Sequence, residues 1–283
     1  MNHFEWNWTQ DGTRFYAQGW SPVATKAVIC LVHGFGEHSG RYAHVAERLS
    51  REGYAVLAFD QYGHGHTDGP RGYSPSLDGS LDSIKLILDE TQKRFPGVPK
   101  FLYGHSMGGN MVLNYLLRRK PKIAGAIVTS PWLRLAFDPP AIQLFLAKIM
   151  RVIYPKFAEQ AKLDTSMLTH DQVEVKKYEQ DPLVHGTARA GTFFDTHTAG
   201  QWVLENAREL EVPILLLHGT QDKIIAPSGS EEFAAKGPKD LIIFKPYEGL
   251  YHELHNESAS DRERVMLDEI AWLNGRLETL DKK

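Results

Sequence analysis

Gly104-His105-Ser106-Met107-Gly108 is the stretch on which a reaction can be built. Phe101, Leu102 and Tyr103 before it read as the end of a buried strand, while Met111, Val112, Tyr115 and Leu116 after it recur at helical spacing. A strand, a sharp turn and a helix around G-x-S-x-G form a nucleophile elbow. The glycines two residues either side are a steric demand, because a hydroxyl aimed out of so tight a turn needs neighbours without side chains. A helix starting at Met107 adds free N–H groups and a positive dipole end beside that hydroxyl. Ser106 is the expected nucleophile; the competing reading is a glycine-rich turn between a core strand and its helix.

A serine hydroxyl reacts only when a base takes its proton and a third group orients that base. An elbow of this kind expects the order serine, acid, histidine, each in a loop after a strand. Ile214-Leu-Leu-Leu-His-Gly-Thr-Gln-Asp222 ends a strand with an acid just beyond it, and Leu241 to His252 ends the next with a histidine. Asp222 is therefore expected to hold the imidazole of His252, and His252 to take the proton of Ser106. Asp60, after an earlier strand, is the alternative acid. Glu248 lies on the same segment as His252, His255 lies towards the last helix, and His218 reads as a structural histidine at a strand end. Charge developing on a carbonyl oxygen needs donors. The N–H of Met107 is one, and the loop His33-Gly34-Phe35-Gly36 offers Phe35 N–H as the second. The glycines of that loop also invite a dinucleotide reading, but the third falls at 40 instead of 39 and no ribose-binding acid follows in context. His33, His38, His64 and His66 cluster without an H-E-x-x-H pattern or a matching carboxylate set, so neither a metal nor a cofactor is expected.

The elements that must carry these residues follow from the apolar pattern. Residues 4–20 alternate around Asp11-Gly12 as a hairpin. Strands are expected at 27–32, 54–59, 101–103, 123–129, 214–217 and 241–244. Helices are expected from Tyr42 to before Gly53 and over 80–94, from Met107, and over 141–154, 202–210 and 259–277. Strands alternating with helices imply an α/β fold with a mostly parallel sheet covered on both faces. Residues 133–200 break the rhythm. An insertion of that size is expected to cap the active-site end of a core formed by 1–132 and 201–283, because ligands bind at the carboxyl ends of such strands. Its apolar helix 141–154 carries Lys148 and Arg151, with Lys156 following; it fits either a lipid-facing lid or a helix packed on the core.

Composition narrows the classes. The 283 residues suffice for one large α/β domain, and a net charge of −3 gives no electrostatic case for nucleic-acid binding. No apolar run is long enough to span a membrane, and the first residues lack a signal-peptide pattern. Cys30 is the one cysteine, inside a buried-strand pattern, which suits a cytoplasmic protein.

The motifs His33-Gly-Phe-Gly-Glu-His-Ser-Gly-Arg-Tyr42, Gly63-His-Gly65, Gly104 to Gly109, Ser130-Pro131, Asp181-Pro-Leu183, His218 to Asp222 and Tyr251 to Glu257 resemble the monoacylglycerol lipase and lysophospholipase group of α/β-hydrolases. The resemblance runs over nearly the whole chain and is weakest at 133–200. It implies Ser106, Asp222 and His252 as nucleophile, acid and base, and Phe35 and Met107 as oxyanion donors. It also implies a mobile apolar cap that touches membranes and admits a single-chain acyl ester.

Overall fold

The computed structural model describes residues 1–137, 139–160 and 163–282. The chain opens with a hairpin, β1 (Asn2–Gln10) and β2 (Thr13–Ser21), turned at Asp11 and Gly12, both at positive φ. Then follow β3 (Ala27–Val32), α1 (Ala43–Arg51), β4 (Tyr54–Phe59), α2 (Leu77–Arg94), β5 (Lys100–His105), α3 (Met107–Arg119) and β6 (Gly125–Thr129). After β6 come α4 (Ala141–Ile153), β7 (Ala158–Gln160), α5 (Gln172–Gln180), β8 (Thr187–Arg189) and α6 (Ala190–Glu205). The chain closes with β9 (Ile214–Gly219), α7 (Pro227–Lys236), β10 (Ile242–Tyr247) and α8 (Ala259–Asp281).

Eight strands form one sheet in the order β1-β2-β4-β3-β5-β6-β9-β10. The hairpin joins it antiparallel through β2 and β4, and every pairing from β4 to β10 is parallel. The α/β-hydrolase architecture expected from the motifs is thus present. The period-two alternation of strands sorts the core into two layers. Val28, Cys30 and Val32 of β3 pack with α2, α3, α6 and α7, whereas Ile29 and Leu31 face α1 and α8. Cys30 is wholly buried, and burial pushes its thiol far above the ordinary value, as befits a packing residue.

Helices depart from expectation in two places: α7 has no counterpart among the helices expected, and α6 is displaced from its expected place. The pattern at 202–210 suggests a helix there, yet α6 begins at Ala190 and ends at Glu205. Asn206 leaves helical geometry (φ −106°, ψ 13°) while its side-chain amide donates to the Trp202 carbonyl, and Ala207–Glu209 makes a single 3₁₀ turn. The first half of α6, Ala190-Gly-Thr-Phe-Phe-Asp-Thr-His197, mixes small and polar residues around one pair of phenylalanines, which disguised its start. Between β6 and β9, β7 and β8 form a small antiparallel pair, and α4 packs on α6. No helix among the described residues is long and apolar enough to cross a membrane.

Candidate active site

The elbow is built as the glycine spacing demands. Ser106 sits between β5 and α3 at φ 53°, ψ −117°, a conformation that an L-residue holds only under constraint. A Cβ at Gly108 would lie 2.1 Å from the Val32 carbonyl oxygen, and one at Gly104 2.7 Å from that of Gly108. The turn is pinned by its neighbours: Ser106 N–H donates to Thr129 O at 3.0 Å, and Trp132 N–H donates to Ser106 O at 3.0 Å.

The loops after β9 and β10 bring the other two side chains to it. Ser106 Oγ lies 3.0 Å from His252 Nε2, and His252 Nδ1 donates to Asp222 Oδ2 at 2.6 Å. All three are buried. Asp222 Oδ1 accepts from the N–H groups of Ile224 and Ile225, both at 2.9 Å. Burial alone would raise the Asp222 carboxyl. The charge of His252 and the hydrogen bonds from His218 and His252 reverse that and hold it far below the usual carboxylate range. Burial works against a charged His252, but the neighbouring Asp222 carboxylate outweighs it and leaves the imidazole more basic than usual. Such a chain can carry a proton from an alcohol to an imidazole and stabilise the cation that results.

Gly34 brings the loop after β3 against the serine: a Cβ there would lie 3.2 Å from that of Ser106. The Phe35 N–H makes no hydrogen bond among the described residues. Met107, as the first residue of α3, has no acceptor within its helix. Two backbone N–H groups without an acceptor among the described residues therefore lie on the segments that meet at Ser106.

The remaining candidates lie elsewhere. Asp60 is buried but occupied, accepting from Ser39 N–H and Oγ and from His66 N–H at 2.8, 2.6 and 2.7 Å, so it anchors two loops and does not reach His252. His255 is buried, stacks on Tyr42 at 4.6 Å, and burial lowers its pKa to about 3. His38 bonds Asp181 at 2.8 Å, and His64 Nδ1 donates to Tyr62 O at 2.9 Å. His218 has more to do than close a strand. Its Nε2–H donates to Asp222 Oδ2 at 3.1 Å while Nδ1 accepts from Ser230 Oγ at 2.8 Å. The four-residue spacing from His218 to Asp222 was the available signal.

Three further supports involve residues inside the motifs named above, but their pairings could not be read from the sequence. Ser130 Oγ donates to the His252 carbonyl at 2.8 Å. Arg41 grips Glu253 through two bonds of 2.7 Å and Glu37 at 2.6 Å, joining the loop after β3 to the residue beside His252. Glu257, fully buried, accepts from Tyr251 N–H at 2.8 Å and His170 N–H at 3.0 Å, so residues before α5 hold the other flank of His252.

Against known families, a model described as serine aminopeptidase S33, a hydrolase family, matches residues 23–259. The chain belongs to this family. It is an α/β-hydrolase of the serine-hydrolase class, and the resemblance read from its motifs is borne out. Human monoglyceride lipase is 33% identical over 276 residues, covering 95% of this chain and 89% of that protein. An abhydrolase domain-containing protein of Dictyostelium discoideum is 36% identical over 273 residues, where the chain spans only 29% of the longer relative. The crystal structure of Paleococcus ferrophilus monoacylglycerol lipase superposes with a TM-score of 0.86 at 31% identity, covering 93% of this chain and 99% of that one. These matches support lipase or esterase hydrolysis.

Proposed function

We propose that the protein hydrolyses monoacylglycerols, or closely similar single-chain acyl esters, to fatty acid and alcohol through an acyl-enzyme on Ser106. The observation that carries this is the run Ser106 Oγ, His252 Nε2, His252 Nδ1, Asp222 Oδ2 at 3.0 and 2.6 Å on a strained elbow. His252 takes the hydroxyl proton as Oγ attacks the ester carbonyl. The N–H groups of Phe35 and Met107 receive the oxyanion, and His252 returns the proton to the departing alcohol. Water then repeats the sequence and frees the acid. Asp222 stays ionised throughout.

The choice of substrate rests on two supports. Relatives of this chain are named monoglyceride lipases. The region 133–200, which we assign as a cap, carries on α4 an exposed apolar face of Ile142, Phe145, Leu146, Val152 and Ile153 beside exposed Lys148. Apolar side chains of that number in contact with water suit a lipid surface, with lysine meeting anionic headgroups. The protein in this reading is cytoplasmic and peripheral to membranes, and uses no cofactor.

A fluorophosphonate adduct located by mass spectrometry tests the nucleophile: it is expected on Ser106, and labelling elsewhere removes the assignment. A panel of monoacylglycerols, lysophospholipids, p-nitrophenyl esters and aminoacyl amides tests the substrate. Turnover is expected to peak on long-chain monoacylglycerols. A maximum on acetate or butyrate esters, on lysophospholipids or on amides overturns the reading.

A further inference from the structure

The oxyanion donor Phe35 sits in the tight turn Gly34–Glu37, and that turn is held from two directions. A trans peptide places its C=O and N–H on opposite sides of one rigid plane, so whatever fixes the Gly34 carbonyl also fixes the direction of the Phe35 N–H. The Gly34 carbonyl accepts from His33 Nδ1–H at 2.7 Å. The tautomer is dictated by its surroundings: Nδ1 faces a carbonyl and must carry the hydrogen, while Nε2 accepts from Gln61 N–H at 3.0 Å. Burial lowers the His33 pKa to about 3, so the ring stays neutral and this pattern persists at working pH. Glu37 Oε1 holds the Gly34 N–H at 2.6 Å and fixes the preceding peptide as well.

The second grip comes from the segment between α5 and β8. His185 N–H donates to the Gly36 carbonyl at 2.9 Å. Gly36 takes φ +75°, and a Cβ there would fall 2.4 Å from the His185 carbonyl oxygen, so the two backbones touch directly. The His185 ring packs edge-on against Phe35 at 5.8 Å. Asp181 bonded to His38 at 2.8 Å, and Arg41 stacked 4.7 Å from the Tyr178 ring centre, moor the same segment to the core.

We propose that His33 and the His185 backbone are positioning elements for the oxyanion hole. His33 aims the Phe35 N–H through the Gly34 carbonyl, and His185 closes the turn from the cap side, so that this stretch of the cap is a fixed part of the catalytic apparatus. The inference rests on the reading of Phe35 N–H as an oxyanion donor.

The test compares two near-isosteric variants. His33→Asn places an amide N–H where Nδ1 was; His33→Leu fills the same space without a donor. His33→Leu is expected to lose about a hundredfold to a thousandfold in kcat, the usual effect of spoiling one oxyanion donor, with KM within about threefold of the parent. A trifluoromethyl ketone, whose hydroxyl adduct mimics the tetrahedral intermediate, should lose affinity in parallel. His33→Asn should recover most of both. His33→Gln, whose amide falls at the Nε2 position, carries the same expected loss as His33→Leu and serves if the leucine variant does not fold. Equal kcat in donor and non-donor variants overturns the role of His33. For His185, amide hydrogen exchange on the unmodified full chain is expected to be at least about a hundredfold slower at His185 than in α4; exchange as fast as in α4 overturns the cap half. Fluorophosphonate labelling of the parent separates the two levels. If Ser106 of the parent does not label, the catalytic reading itself fails. If it labels and the variants do not differ, only the positioning inference does.

Discussion

Glu269 offers a measurement of how this fold tolerates a carboxyl in its core. It lies on α8, 1% exposed, with Oε1 accepting from Tyr103 OH at 3.1 Å and Oε2 without a partner. Burial raises its pKa from 4.5 to about 8, helped by Asp268 and opposed by the tyrosine hydrogen bond. The folded protein therefore keeps this group protonated at neutral pH, whereas the unfolded chain ionises it. The stability attached to the protonated group is fully present below pH 4.5 and is lost as pH rises from there to about 8. At about 1.4 kcal/mol per pH unit, the loss at pH 7 is on the order of 3 kcal/mol. Glu269→Gln mimics the protonated acid and cannot ionise, so it should be more stable than the parent by about that amount at pH 7 and nearly equal to it near pH 4.5. Urea unfolding followed by circular dichroism at a series of pH values measures the difference directly. A gap that does not grow between pH 5 and 8, or a variant less stable than the parent at pH 7, would refute the reasoning.

The raised basicity of His252 sets the acid limb of kcat/KM above the ordinary histidine value of 6.5, with activity lost as pH falls through it. Asp222→Asn, which removes the charge responsible, should lower kcat by about ten-thousandfold, measured with a chromogenic ester. His218→Phe removes one of the donors to Asp222 Oδ2, so a smaller loss of kcat, on the order of tenfold, is expected with KM unchanged. Phe145→Glu on α4 should weaken co-sedimentation with anionic vesicles by tenfold or more while leaving p-nitrophenyl butyrate hydrolysis within about twofold. Vesicle binding unaltered by that charge would remove α4 from the membrane contact.

The strands and the elbow were legible because each is a local pattern. Val28 to Val32 and Ile214 to Leu217 are continuous apolar runs, and the steric conflicts around Gly104 and Gly108 leave glycine as the only residue that fits. The order of Ser106, Asp222 and His252, each in the loop after a strand (β5, β9 and β10), was readable for the same reason. The start of α6 was not, since Thr192, Thr196 and Gly200 bury small polar or side-chain-free positions that carry no hydrophobic stripe. Nor were the clamps on the active loops. Arg41 with Glu253, and Glu257 with His170, join residues far apart along the chain, and charged residues in a sequence read as surface until their partners are known. His218 was underestimated because a histidine at a strand end has many uses, and only its 3.1 Å approach to Asp222 shows which one applies.

The uneven mooring of the residues after β6 bears on which parts of such an enzyme can be exchanged. Leu168 to His170 and Asp181 to His185 are bonded to the loops that carry His252 and Phe35, so a substitution there disturbs the reaction itself. α4 rests on α6 and makes no hydrogen bond to either loop among the described residues. On the proposed reading of 133–200 as a cap, residues 141–153 are therefore separable from the catalytic loops: a chimaera carrying a foreign helix at that place is expected to alter contact with lipid and to leave the rate of bond cleavage unchanged.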